Sequence, residues 1–313
     1  MLKKPILYLW LSLLLCLFGC TPAADNPDET AVAENIPTGT IVLGDTGVNR
    51  AEKIEALQPT ADYIAAQLHE YGIGVGEVKI APDLETMIQW INEGEVDIYF
   101  DSPYPTMIIL DDTEMRPVMR QWRQGVGQYQ SVIFTSNEAN ITTLDDLQGQ
   151  IIAFEEAYSS SGFMLPYTLL AEEGFTLKEV TSTDDPVAED EIGYIFSESD
   201  VNTVEWVISG KVIAGATDSP TYDVDIPAPT KQHLTELARS VLVPRGIVSM
   251  HSSVDPAVET AVIEILQEME ASEEGVAAMA LTGTNRFDEL PDGVDQTLEF
   301  LTSLFSLLHP TPN

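Results

Sequence analysis

Short apolar runs alternate along this sequence with segments whose apolar residues recur at helical spacing. Residues 40–45, 77–81 and 96–100 have the length and composition of strands, while residues 51–71 and 83–91 repeat apolar residues every three or four positions. Alternation of this kind is typical of α/β units with mostly parallel strands. The first part of the chain is therefore predicted to form a parallel sheet covered by helices.

A second set of the same kind follows further along the chain. Strands are predicted at residues 131–135, 151–154, 194–196 and 212–216, with a helix at 201–209. Residues 238–250 return as an extended apolar segment, and the residues beyond them are predicted to be helical. Two α/β sets joined by two crossing segments predict two lobes with a cleft between them.

A turn of three serines and a glycine, residues 159–162 (the serine turn), is the strongest candidate for a binding site. It follows the apolar run at 151–154, and a helix is predicted to begin between Ser160 and Phe163 because serine caps helices well. The start of a helix leaves N–H groups unpaired and carries partial positive charge, which suits a tetrahedral oxyanion. A capped turn without a ligand explains the same residues equally well.

Ligands of open α/β sheets bind at the carboxyl ends of the strands. Three polar loops occupy that position in this sequence, at residues 44–46, 101–104 and 158–162. We therefore expect these loops to meet in the cleft.

The N-terminal residues indicate export. Lys3 and Lys4 precede an apolar run at 6–18 that is too short for a membrane span and is typical of a secretory signal. The run ends in Leu-Phe-Gly-Cys, which resembles the lipobox of bacterial lipoproteins and implies lipid on Cys20, although an ordinary signal peptide is the alternative. We expect a signal peptide at 1–19, a flexible acidic tether at 20–38, and a lipid anchor on the periplasmic or extracellular side.

The charge balance is strongly acidic, with 14 Lys and Arg against 51 Asp and Glu and a net charge of −37. Such a surface repels nucleic acids and anionic membranes, so neither is expected as a binding partner. A cationic ligand is one interpretation of the charge, and a solvated surface suited to a saline habitat is the other. The sequence contains no H-E-x-x-H or C-x-x-C motif, and no metal or cofactor is predicted.

Several segments resemble the phosphate/phosphite/phosphonate-binding proteins of bacterial ABC importers. The most specific is Ser-Ser-Ser-Gly-Phe-Met-Leu-Pro at 159–166, which resembles the family pattern S-T/S-S-G-aromatic-x-x-P. The other similar segments are residues 96–98, 129–133, 143–149, 210–216 and 243–248. The resemblance covers nearly all of the chain after the tether.

The resemblance implies an α/β protein with the class II periplasmic binding protein fold, in which two hinge crossings join two lobes around a ligand cleft. Lobe 1 would contain residues 39–127 plus 243–313, and lobe 2 residues 128–242. The implied function is a monomeric solute-binding lipoprotein that closes on a small phosphorus oxyanion and delivers it to an ABC permease. A sulfonate, a thiamine-type heterocycle or an amine is an alternative ligand, and a membrane histidine kinase is an alternative partner.

The resemblance also implies the ligand-binding residues. They are Ser159, Ser160, Ser161 and Gly162 in the serine turn, Asp218 and Asp200 in lobe 2, and Asp101, Ser102 and Tyr104 in lobe 1. For Asp218, a local Asx turn is as good an interpretation as ligand binding. For Tyr104, a buried position in the core is equally good.

Asp200 departs from the family, which often has a histidine there. An aspartate before the helix predicted to start near Val201 is a good N-cap, but when ionised it cannot donate to an oxyanion. Asp101 and Asp200 together would suit a ligand with anionic and cationic ends, such as an aminophosphonate. Arg50 and Arg245 could balance their charge.

The serines also raise the possibility of a hydrolase. No G-x-S-x-G motif is present, and the four histidines are far apart in the sequence. His69 and His233 fall in helical surface patterns, and only His251 is predicted to lie near the cleft. We therefore predict a binding protein and not an enzyme.

Overall fold

The computed structural model describes residues 37–309, which form two α/β lobes, each built around a six-stranded sheet. The strands are β1 (Gly39–Thr46), β2 (Ile73–Ala81), β3 (Ile98–Asp101), β4 (Met115–Arg123), β5 (Gln128–Tyr129), β6 (Ser131–Ser136), β7 (Ile151–Phe154), β8 (Thr176–Glu179), β9 (Glu191–Phe196), β10 (Ala214–Asp218), β11 (Leu234–Arg239), β12 (Val243–Pro244), β13 (Gly246–His251) and β14 (Thr284–Asp288). The α-helices are α1 (Arg50–Ala66), α2 (Leu84–Asn92), α3 (Pro103–Asp112), α4 (Leu165–Glu172), α5 (Asp200–Ile208), α6 (Ala228–Lys231), α7 (Pro256–Glu268), α8 (Glu273–Met279) and α9 (Val294–Leu308).

The two sheets mix parallel and antiparallel strands. The first has the order β14-β4-β13-β3-β1-β2 and the second β11-β6-β10-β7-β9-β8. The prediction of mostly parallel strands is wrong, because β13 is antiparallel to β3 and β4, and β6 is antiparallel to β10 and β11. Strands β6 and β13 each directly follow a segment that crosses between the lobes. They therefore begin at the edge of the sheet that faces the cleft and run antiparallel to the neighbouring strands that end at that edge.

The two crossings lie side by side. β5 and β12 pair as a short antiparallel ribbon, with Tyr129 opposite Val243, and the N–H of Arg245 donates to the carbonyl of Gly127 at 2.9 Å. Paired crossings of this kind form a hinge between the lobes. The lobe boundaries given above stay a prediction.

Several elements escaped the sequence patterns, among them strands β4 and β8, for which no strand was predicted. Helix α3 begins inside the loop predicted at residues 101–104, and its Pro103 and Pro105 both lie in the first turn, where the missing N–H costs little. Strand β14 lies in a stretch predicted to be helical and pairs with the edge of β4. Helix α1 lies in the stretch with helical spacing at 51–71 and continues through Pro59.

One apolar cluster joins the lobes behind the cleft. Tyr104 and Met107 of α3 belong to the same buried cluster as Phe163 and the face of α9 that carries Leu301 and Leu304. Helix α9 contacts both α3 and α4. The C-terminal helix therefore packs against elements on both sides of the cleft.

Residues 1–36 lie outside the described part of the chain, and with them the predicted signal peptide, most of the tether and Cys20. Within residues 37–309 we find no helix with the length and hydrophobicity that a membrane span requires.

Candidate functional site

A cavity of about 560 Å³ lies between the lobes. The ends of β1, β3 and β4 contribute its walls from one lobe, and the loop after β7 contributes from the other. Of the predicted site residues, Asp101, Ser102 and Ser159 line it. Asp45 and Tyr158, from the predicted loops at 44–46 and 158–162, line it as well. Further lining residues that the predictions did not include are Glu52, Lys53, Gln121, Arg123, Glu155 and Glu156.

The serine turn opens a helix, as predicted. Ser159 is the N-cap, and its Oγ accepts a hydrogen bond from the N–H of Gly162 at 2.9 Å. The following turn, Ser160–Met164, is π-helical and leads into α4. Because a π-helical turn pairs residues five apart, its first N–H groups have no partner within the helix. Apart from the N–H of Gly162, which donates to Ser159 Oγ, these N–H groups are the donors that the turn can offer.

Gly162 fits this turn because another side chain lies against it. A Cβ atom at position 162 would come within 2.4 Å of the Cβ of Glu155 and 2.9 Å of the Oγ of Ser159. The sequence suggested that a ligand approaches the backbone of Gly162, but here the carboxyl arm of Glu155 occupies that side. Any larger residue at position 162 would have to push Glu155 away.

Ser160 and Ser161 lie deeper than Ser159, with exposures of 2% and 7%. The Oγ of Ser160 accepts a hydrogen bond of 2.8 Å from the N–H of Tyr104, the second residue of α3. The neighbouring Pro103 and Pro105 have no N–H, so Tyr104 supplies the donor that the start of α3 directs at the serine turn. Two helix starts, one from each lobe, thus meet at Ser160.

The side chain of Tyr104 lies in the core, while only its amide reaches the serine turn. Its ring packs against Phe163 and Phe305, and its hydroxyl lies 3.2 Å from Nε2 of His309. Burial, with a smaller contribution from Tyr158, raises the pKa of Tyr104 to about 12. The phenol therefore stays neutral and serves packing.

The lobe 1 carboxylates are held by groups of their own lobe. Asp101 accepts hydrogen bonds from the hydroxyl of Tyr99 at 2.7 Å and from the N–H of Ser102 at 2.6 Å. Asp45 forms an ion pair of 2.9 Å with Lys53. Burial raises the pKa of Asp45 against the opposing effect of Lys53.

Asp218 and Asp200 lie beside the cavity and not on its surface. Asp218 accepts from the N–H of Thr221 at 2.8 Å and from its hydroxyl at 3.0 Å, which is the local turn that the sequence allowed as an alternative. The predicted N-cap role of Asp200 is wrong, because α5 begins one residue earlier and Ser199 caps it. The carboxylate of Asp200 instead accepts a hydrogen bond from the hydroxyl of Thr217.

Glu155 was missing from the predicted site. It directly follows β7 and accepts a hydrogen bond of 2.7 Å from the hydroxyl of Ser159. Burial raises the pKa of Glu155 to about 7, and the charge of Asp200 adds to the effect. Its place between a buried strand and the serine turn was the signal that could have identified it.

Arg245, proposed from the sequence to balance the acids, lies close to the serine turn. Its guanidinium group stacks over the ring of Tyr129 at 4.5 Å, and nothing in residues 37–309 accepts a hydrogen bond from its buried Nε. Burial raises the pKa of Tyr129, while Arg245 and hydrogen bonds with Ser160 and Ser161 lower it. Arg50, by contrast, is exposed at the start of α1 and does not line the cavity.

The prediction that His251 lies near the cleft is wrong. Its N–H donates to the carbonyl of Asp97, at the end of β3 remote from Asp101, and its ring contacts Ser253. β13 starts at the cleft and runs away from it, so its last residue lies at the far edge of the sheet. His309 contacts the buried side chain of Tyr104 and does not line the cavity.

Comparison with known protein families decides the class of this protein. The family model described as "ABC transporter, phosphonate, periplasmic substrate-binding protein" matches residues 48–293. The chain belongs to this family. It is therefore the extracytoplasmic substrate-binding component of an ABC transporter.

Several solved structures share the fold of this phosphonate-family protein. XAC2383 from Xanthomonas citri, solved with a chloride ion, is 25% identical over 87% of this chain and 99% of its own, with a TM-score of 0.80. The same protein has been solved with ATP, at 24% identity, 88% and 100% coverage, and a TM-score of 0.80.

Two further structures are more distant. PhnD1 from Prochlorococcus marinus, in complex with methylphosphonate, is 11% identical over 86% of this chain and 98% of its own, with a TM-score of 0.60. The sulphonate-binding protein SsuA from Escherichia coli is 13% identical over 86% of each chain, with a TM-score of 0.53. These likenesses confirm the predicted class II periplasmic binding fold with two α/β lobes.

Proposed function

We propose that this phosphonate-family protein binds a small phosphorus oxyanion, namely a phosphonate, phosphite or phosphate, between its lobes and delivers it to an ABC permease. The observation that carries the proposal is the meeting of two helix starts at Ser160, one from each lobe. N–H groups and hydroxyls at helix starts bind oxyanions without needing a positive side chain. Ser159, Ser160, Ser161 and Gly162 would be the principal ligand groups.

Arg245 supports the same position for the anion. A buried guanidinium N–H without an acceptor is costly unless a ligand oxygen supplies one. Because Arg245 stacks on Tyr129, whose hydroxyl neighbours Ser160 and Ser161, an oxyanion at the serine turn lies within its electrostatic reach.

Closure of the lobes would trap the ligand. An anion that contacts the serine turn on one side and the start of α3 on the other interacts with both lobes only when they are together. Such contacts shift an open–closed equilibrium toward the closed form. The residues around the bound anion would include Asp101, Ser102, Asp200 and Asp218.

The anchoring and assembly of the protein belong to the same proposal. Lipid attached to Cys20 would hold the protein at the membrane beside its permease, and the acidic tether would give the lobes reach. We propose that the protein acts there as a monomer.

A second candidate ligand carries a cationic group in addition to the oxyanion. Five carboxylates line the cavity, against two cations, of which Lys53 is already paired with Asp45. The excess of negative charge favours a zwitterion over a simple dianion. Within residues 37–309, four of the lining acids form no salt bridge, namely Glu52, Asp101, Glu155 and Glu156, and neither does the lining cation Arg123.

Thermal unfolding of the purified protein with a ligand panel tests both candidates. The panel contains phosphate, phosphite, methylphosphonate, 2-aminoethylphosphonate, sulfate, taurine, thiamine and putrescine. A ligand at 100 times its Kd stabilises the folded protein by about 2.7 kcal/mol, which raises the midpoint measurably. A shift with any phosphorus compound supports the proposal, and a shift with putrescine or thiamine alone contradicts it.

A further inference from the structure

Two hydrogen bonds connect the serine turn to Glu155, which lines the cavity. The N–H of Gly162 donates to Ser159 Oγ at 2.9 Å, and that hydroxyl donates to Glu155 Oε2 at 2.7 Å. The nearby carboxylate of Asp200 accepts from the hydroxyl of Thr217. The hydroxyl of the first serine is thus directed at a carboxyl group of the protein.

The charge of Asp200 favours a proton on Glu155. Two ionised carboxylates close together in a partly buried cavity repel each other, and a proton on one of them removes that repulsion.

The other charged groups around Glu155 also favour its neutral form. Glu156 follows it in the chain and Asp218 lies at the end of β10, and both charges act on Glu155. Across the cavity stand Asp45, Asp101 and Glu52, with the cations Lys53 and Arg123, while Arg245 acts on Asp200. Lys53 is paired with Asp45, so the groups that face Glu155 are mostly acidic.

An anion that reaches Ser159 would lie beside Glu155. An ionised Glu155 would repel it at short range inside a partly buried cavity, where charges interact more strongly than in water. A protonated Glu155 removes that repulsion.

We propose that Glu155 is a specificity-determining residue of the oxyanion site, which holds a proton while the anion is bound, so that binding above neutral pH takes up a proton from solvent. The proposal rests on the proposed function, because it needs an anion at the serine turn. It adds that this chain binds oxyanions best when Glu155 is neutral. The raised pKa of Glu155 places the change near neutral pH.

The test compares the Kd of methylphosphonate for the wild-type protein and for Glu155→Gln between pH 6 and pH 9, by isothermal titration calorimetry. The titration of the ligand itself is common to both proteins and cancels in their ratio. The Kd of the wild type should rise relative to Glu155→Gln by roughly tenfold per pH unit above pH 7. Glu205→Gln removes one exposed carboxylate of α5 with the same change in net charge and should follow the wild type.

Two further measurements do not depend on the variant. Calorimetric titrations of the wild type at pH 8, in buffers of different ionisation enthalpy, measure how many protons are taken up on binding. This number should exceed the number that titration of the ligand itself explains. Carbon-13 NMR of the glutamate carboxyls in the ligand-free protein should show one signal that titrates near pH 7.

Each result decides between the two proposals. Binding with a constant Kd ratio and no proton uptake would overturn the role of Glu155 and leave the proposed function standing. A Glu155 signal that titrates near pH 4.5 would overturn that role whatever the protein binds. Absence of binding by any phosphorus oxyanion, at every pH and in both proteins, would reject the proposed function and the role of Glu155 with it.

Discussion

The N–H of Tyr104 donates a hydrogen bond of 2.8 Å to the Oγ of Ser160, although the two residues are 56 positions apart in the sequence. Tyr104 belongs to the start of α3 in one lobe and Ser160 to the serine turn in the other. The bond therefore joins the two predicted halves of the oxyanion site directly. Any ligand that binds between them must replace this bond or share its donor.

Replacing Ser160 with alanine should affect stability as well as binding. The change leaves the buried N–H of Tyr104 without an acceptor, which costs about 1–3 kcal/mol. We expect a lower free energy of unfolding in urea and a weaker affinity for phosphorus oxyanions. Ser209→Ala, at an exposed hydroxyl that follows α5, is the matched control. Unchanged stability would show that the contact contributes nothing in solution.

Ser161→Ala should weaken oxyanion binding without the loss of a contact between the lobes. The hydroxyl is buried beside Tyr129 and would donate to the ligand, so its removal should cost about 1–3 kcal/mol of binding free energy. Calorimetric titration measures the effect, with Ser209→Ala again as control. Equal affinities would place the anion elsewhere in the cavity.

Arg245→Met separates the binding role of the arginine from a structural one. The buried Nε has no acceptor within residues 37–309, so its loss should not lower the thermal midpoint of the ligand-free protein. The affinity for an oxyanion should fall by tenfold or more, because charged hydrogen bonds contribute about 1.5–3 kcal/mol. A large drop in midpoint with unchanged affinity would indicate that Arg245 serves only to pack on Tyr129.

Glu155 should also make stability depend on pH. Its pKa is about 7 in the folded protein and near 4.5 in the unfolded chain, so between these values the folded state binds more protons. The free energy of unfolding should therefore fall as pH rises through this window, by at most about 3 kcal/mol from this group. Urea unfolding of Glu155→Gln from pH 4 to pH 8 should lack that part of the slope, and Glu205→Gln should retain it. Parallel curves for Glu155→Gln and wild type would contradict the raised pKa.

Periodicity predicted the strands that are short apolar runs, because a buried strand needs such a run whichever protein contains it, but it did not find β4 and β8. The runs at β1, β3, β6, β7 and β10 all appear in the structure. The direction of β6 and β13 did not follow from periodicity, because it depends on where the chain crosses between the lobes. Helix α3 was missed since prolines usually break helices, and only the structure shows that Pro103 and Pro105 lie in its first turn.

The sequence by itself determined the family, the two-lobe α/β architecture and the helix that opens at the serine turn, since these depend on local patterns of apolar, capping and turn residues. Tertiary structure alone decided which side chains surround that turn. Glu155 lies against Gly162, Tyr104 donates to Ser160, and Arg245 stacks on Tyr129 because distant segments fold together, and local sequence does not encode their distances. For the same reason Asp218 caps its own turn and His251 lies away from the cleft.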